Sequence, residues 1–231
     1  MLKVLIGTDD GGRRYYLDLG KCSGILICGE TGSGKSVLVD SIVTTLVAKN
    51  SPEELNCLFF DPKKIELFEF NEIPHLGRPI ATSCDKINDS LRFLKQELRA
   101  RRELIKQRRL LDITSLPHIL VIIDEFTELD RKALDPILKE LLSIGKHVKI
   151  HLILTTNAYL NETLDKSRLN SFDYIFSFDL ASKDQATFLN MKGADVLAES
   201  GEALVKHFGE LKKLRVPDLP LEKVYKRIEK L

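Results

Sequence analysis

Eight residues constrain this chain more than the rest of its length. Gly29-Glu30-Thr31-Gly32-Ser33-Gly34-Lys35-Ser36 follows the apolar run Ile25-Leu26-Ile27-Cys28 and opens a stretch with helical spacing of apolar residues. The pattern G-x-x-x-x-G-K-[ST] between a strand and a helix is a phosphate-binding loop. Its glycines reach backbone angles that a Cβ forbids, so successive N–H groups can turn inward on a phosphate chain. The helix after it aims its positive end at the same anion. Lys35 is placed for the outer phosphates and the Ser36 hydroxyl for Mg²⁺. With Val37, residues 29–37 are the candidate site for a nucleoside triphosphate.

The rest of the 231-residue chain is read around that loop. Apolar runs at Cys57–Phe60, His118–Ile123, Lys149–Leu154 and Tyr174–Phe178 alternate with helical patterns. Such continuous apolar strands belong to a parallel sheet covered on both faces, an α/β fold. A long helix is expected from Asp85 to Arg109, with Ile87, Leu91, Leu94, Leu98 and Ile105 as its buried stripe. Leu110 to Pro117 ends it. A helix following Pro136, with Leu134, Leu138, Leu141 and Leu142 on one side, stops at Gly145, and a short one spans Thr163 to Leu169. Residues 62–82 are irregular.

Residues 2–6 and 14–19 flank Thr8–Gly12 as a hairpin. Ala203–Lys206 and Leu211–Val216 form a small β pair, and Leu221–Leu231 a final helix. We expect one domain over 1–231: a core at about 22–180, an N-terminal β-hairpin at 1–20, and a β pair and helix at 200–231.

The acidic pair Asp124-Glu125 ends an apolar strand, on the edge where ligands of parallel sheets bind. Asp124 is placed to hold Mg²⁺ together with Ser36, and Glu125 to polarise the attacking water. Asn157, at the end of the next strand, is read as a γ-phosphate sensor, against simple turn chemistry. Arg92, Lys95, Arg99, Arg102, Lys106 and Arg109 share one helical face. That face is read as solvated or as a subunit contact in preference to a DNA track.

Lys and Arg number 35 against 34 Asp and Glu, so bulk charge advertises no nucleic acid. Cys22, Cys28, Cys57 and Cys84 lack metal or disulfide spacing and fit free thiols in a cytoplasmic protein. None of the five histidines falls at ligand spacing. No apolar run approaches the roughly 20 residues that span a bilayer, so no membrane segment is expected.

These pieces together resemble the motor domain of the FtsK/SpoIIIE DNA translocases, in the wider FtsK–HerA group. Asp18-Leu19 before the loop is similar to the family's entry. Phe60-Asp61-Pro62-Lys63-Lys64-Ile65-Glu66-Leu67, then Ile73-Pro74-His75-Leu76, resembles its D-P-K-x-x-E-L … I-P-H-L signature. Val121–Phe126, Ile150–Asn157, and Gly193-Ala194-Asp195 with Gly201-Glu202-Ala203-Leu204 resemble its acidic strand end, sensor stretch and closing motif.

The resemblance implies a RecA-like sheet of the ASCE type, with the sensor strand between the loop strand and the acidic strand. It implies a homo-oligomer, a hexameric ring around double-stranded DNA, with ATP and Mg²⁺ between subunits. The family's usual sensor Gln is Asn157 here, and its usual Arg before the last core strand is absent. Arg168 is assigned the trans-acting role, with Lys183 as second choice. Lys63, Lys64, Lys166 and Arg168 are the candidate DNA contacts. The short chain is expected to be a minimal motor from a virus, plasmid or integrative element. A packaging or conjugative coupling ATPase, with a capsid, relaxosome or membrane-channel partner, is an open alternative. A protein-secretion module or a scaffold is another.

Overall fold

A computed structural model describes residues 2–107, 110–157, 164–197 and 199–217, except the side chains of residues 110–112. Nine strands form one sheet: β1 Lys3–Thr8, β2 Arg14–Asp18, β3 Gly24–Cys28, β4 Leu55–Phe60, β5 His118–Ile123, β6 Ile150–Thr156, β7 Tyr174–Ser177, β8 Glu202–His207 and β9 Glu210–Arg215. Their order is β2-β1-β9-β8-β7-β3-β6-β5-β4. Strands β7, β3, β6, β5 and β4 run parallel, while β8, β9, β1 and β2 extend one edge antiparallel. Strand β6 lies between β3 and β5, the order expected of a RecA-like sheet.

Side chains alternate along β5 although all are apolar. Ile119, Val121 and Ile123 enter one core, Leu120 and Ile122 the other. The first core packs Leu91, Leu94 and Leu98 of α2 (Cys84–Lys106) with Leu134, Leu138 and Leu141 of α4 (Arg131–Ile144). The second packs Leu38, Ile42 and Leu46 of α1 (Lys35–Val47). Helices on both faces explain why these strands are apolar throughout rather than at every second residue.

The hairpin and the β pair both form, and they extend one edge of the central sheet. Helix α4 begins five residues before Pro136. Asp130 caps it by accepting from the Lys132 N–H at 3.0 Å, and Pro136 is carried inside the helix. Leu110–Ser115, expected only to end the long helix, is a further helix, α3. Of the expected Thr163–Leu169 helix, Lys166–Leu169 is helical, Leu164 and Asp165 are not, and Thr163 lies outside the described residues; a helix at Lys183–Leu189 was not expected from the sequence. The latter is short, and Ser182 starts it by accepting from Gln185 N–H. The expected Leu221–Leu231 helix and Arg109 lie outside the described residues.

Carboxylates answer much of the basic stripe on α2. Arg92 pairs with Asp89, Arg102 with Glu140 of α4 and Lys106 with Glu103. Arg101, off that stripe, is buried and donates to the carbonyls of Pro117 and Val148, tying α2 to the starts of β5 and β6. Cys22, Cys28 and Cys57 are buried free thiols and Cys84 is exposed. Among the described residues no helix is long and apolar enough to cross a membrane.

Candidate nucleotide site at the strand tips

The phosphate loop spans the gap between β3 and α1. Gly34 takes the N-cap position of α1 at φ 116°, with no side chain to cap the helix. A Cβ there would be strained by the backbone angle and would crowd the Gly201 backbone at 3.1 Å, so the position favours glycine. The first-turn N–H groups of Lys35, Ser36 and Val37 have no acceptor within the helix. An uncapped helix end of this kind fits an anion. The loop is braced from behind: Ser200 Oγ donates to Gly32 O at 3.1 Å, and Gly201 N–H to Ser33 O at 3.0 Å. Glu30 N–H donates to Asp179 O beyond β7.

Lys35 Nζ donates to the carbonyls of Gly29 at 2.8 Å and Glu30 at 2.9 Å. Burial lowers its proton affinity, partly opposed by the nearby Glu125 and Asp124. Lys35, Ser36, Asp124 and Glu125 open onto one cleft of about 180 Å³, together with Thr31, Gly32, Gly34 and Val37 of the loop. The same cleft is lined by Asp40, Glu66 and Thr155, none of them assigned from sequence.

The acidic pair is held by the neighbouring strand. Thr155 Oγ1 on β6 donates to Asp124 Oδ1 and accepts from Glu125 N–H at 3.1 Å. Burial pushes the Asp124 carboxyl up to about 6. The Thr155 hydrogen bond opposes this, while Glu66, Glu125 and Asp61 add to it. Asp124 Oδ2 is buried and has no hydrogen-bond partner among the described residues. An orphaned carboxylate oxygen in a cleft that also holds a serine hydroxyl fits a hard cation such as Mg²⁺. Among the described residues no group of three or more His, Cys, Asp or Glu could hold a metal alone. That suits an ion also ligated by phosphate oxygens.

Glu125 has left-handed backbone angles, φ 44° and ψ 57°. A non-glycine residue pays about 1–3 kcal/mol for such a conformation, and it persists only where its surroundings enforce it. Here Asn157 N–H donates to Glu125 Oε2 at 3.1 Å, and Asn157 Nδ2 to Thr31 Oγ1 at 3.4 Å. The candidate sensor therefore touches both the candidate base and the phosphate loop.

The candidate DNA contacts are dispersed. Lys63 lies 4.0 Å from Glu125 Oε2 and 3.5 Å from Glu128 Oε1. Lys64 is exposed, at φ 60°. Lys166 is exposed on its one-turn helix. Arg168 Nη1 pairs with Asp135 Oδ1 of α4 at 2.7 Å, and its side chain is only 23% exposed. Lys183 is exposed at the start of its helix.

Loop, acidic strand tip and sheet order define a P-loop ATPase domain. Residues 1–118 match the FtsK/SpoIIIE family, to which the chain belongs. The DNA translocase FtsK of Borreliella burgdorferi is 32% identical over 217 residues, covering 86% of this chain. This chain spans 28% of that translocase's length. EssC ATPases 2 and 3 from Geobacillus thermodenitrificans superpose at TM-score 0.81, with 18% identity over all of this chain and 48% of theirs. The pCW3 conjugation coupling protein TcpA, solved with ATPγS, superposes at 0.80, with 20% identity over 99% of this chain and 70% of its own.

Proposed function

We propose that this chain hydrolyses ATP to drive movement along duplex DNA, working as a ring of like subunits. The observation that carries the reading is the convergence of Lys35, Ser36, Asp124 and Glu125 on one cleft, with Asn157 reaching both Glu125 and Thr31. The loop amides and Lys35 bind and orient the phosphates. Ser36 Oγ and Asp124 Oδ2 would hold Mg²⁺, which when bound offsets phosphate charge and polarises a phosphoryl oxygen.

Glu125 orients the attacking water and takes its proton on the carboxylate. Its left-handed backbone and its bonds to Thr155 and Asn157 fix that carboxylate at the tip of β5. Asn157 reports on the outer phosphate. Arg168 reaches the site of the adjacent subunit, where a cation supplied in trans is worth about 10³–10⁵ in rate. Lys64 and Lys166, both exposed, contribute to the DNA track.

The test is ATP turnover by the purified chain with linear duplex DNA, heparin or an acidic peptide. Duplex DNA alone should stimulate it, and the stimulation should decay steeply with salt as neutralised phosphates recover their counterions. Equal stimulation by heparin, or none by DNA, overturns the reading.

A further inference from the structure

Asp61 builds a tight turn just past β4. Its Oδ1 accepts from Ile65 N–H at 3.3 Å and its Oδ2 from Leu67 N–H at 3.1 Å. Strands β4 and β5 are parallel and pair Phe60 with Ile123. The turn therefore stands beside the tip that carries the acidic pair, and the Lys63 ammonium comes between Glu125 and Glu128.

Two donors thus draw on the same oxygen, Glu125 Oε2: the Asn157 N–H at 3.1 Å and the Lys63 ammonium at 4.0 Å. The first belongs to a strand tip and is fixed. The second is a long contact from a flexible four-carbon stem whose side chain is 37% exposed. Exposed Lys64 is its neighbour, and Ile65 and Phe68, 68% and 69% exposed, continue the same segment.

From this geometry we infer that Lys63 is a positioning residue coupling the DNA track to Glu125. In the free chain the Lys63 ammonium engages the Glu125 oxygen that would take the proton of the water, and so lowers its readiness to accept it. A DNA backbone reaching the segment offers Lys63 a closely spaced row of singly charged phosphates and draws it off. Glu125, still held on the cleft by Asn157, then accepts the proton of the water more readily. Glu128 tunes the device by competing for the same ammonium.

The inference rests on the proposed DNA-driven hydrolysis, and the experiment separates the two. Steady-state ATP turnover is measured with and without duplex DNA for the wild type, Lys63→Ala, Lys63→Arg and Glu128→Gln. Lys63→Ala should raise the DNA-free kcat about threefold to fivefold, the scale of one partly exposed ion pair, at unchanged KM. The ratio of stimulated to basal rate should shrink accordingly. Lys63→Arg should restore the wild-type ratio. Glu128→Gln should act oppositely, lowering the basal rate, because Lys63 loses its second carboxylate.

A lysine with a merely structural role would lower both rates together and leave their ratio alone. That result, or an unchanged ratio in both Lys63→Ala and Glu128→Gln, overturns the inference. A wild type indifferent to DNA overturns the underlying function instead.

Discussion

Asn157 donates its main-chain N–H to the Glu125 carboxylate over 3.1 Å, so the tip of β6 fixes the residue at the tip of β5. The two strands are neighbours in the sheet, and Thr155 adds a second tie between them through Asp124 and the Glu125 N–H. The acidic pair is therefore shared between strands rather than presented by one.

Replacing Thr155 by Val keeps the shape but strands two buried groups, the Glu125 N–H and Asp124 Oδ1. Unmade buried hydrogen bonds cost about 1–3 kcal/mol each. Urea denaturation of Thr155→Val should show a loss of that order at unchanged slope, and Thr155→Ser should recover most of it. An unchanged midpoint would show that the hydroxyl bridge contributes nothing.

At the opposite end of the sheet, acid should destabilise the protein through two histidines. The Cys22 carbonyl can only accept, so His151 Nδ1 carries the proton and its Nε2 accepts from His118 at 2.8 Å. Burial holds His118 down at about 3 and His151 at about 4. Between the ordinary value near 6.5 and those values, the unfolded chain binds protons that the folded chain refuses. Stability is then full above about pH 6.5 and falls as pH drops towards 4, by up to about 1.4 kcal/mol per pH unit for each histidine. Thermal melts from pH 7 to 4 should show this slope, and His151→Gln should flatten it. An equal slope in the variant would place the acid sensitivity elsewhere.

For Arg168 the structure shows an arginine already paired with Asp135. If it also serves the neighbouring subunit, Arg168→Ala should lose about 10³-fold or more in turnover while still binding ATP. Mixing it with Glu125→Gln should restore part of the rate, since the second variant lends its Arg168 to an intact site. Full activity of Arg168→Ala alone would reduce the residue to a surface ion pair.

The phosphate loop, the acidic pair and the five parallel strands were legible in the sequence because each is local: a spaced glycine pattern, or an apolar run ended by a carboxylate. The start of α4 was not, because Pro136 reads as a helix boundary while the deciding cap, Asp130, lies six residues earlier. Thr155 was passed over because its role needs β5 and β6 side by side; only the register Ile123↔Leu154 brings its hydroxyl to Asp124. Lys63 was read as a track residue from its charge. Its place at Glu125 depends on the Asp61 turn, a tertiary fact. The bracing of the loop by Ser200 and Gly201 spans 168 residues and left only a glycine in a closing motif as its trace.

The central claim is that the cleft lined by Lys35, Ser36, Asp124 and Glu125 binds a nucleotide and activates water against it. Glu125→Gln tests it most directly, because the change removes the proton acceptor and almost nothing else. Its ATP affinity should match the wild type by calorimetric titration, while steady-state turnover falls about 10²- to 10⁴-fold. Turnover within twofold of the wild type, at equal affinity, would contradict the account.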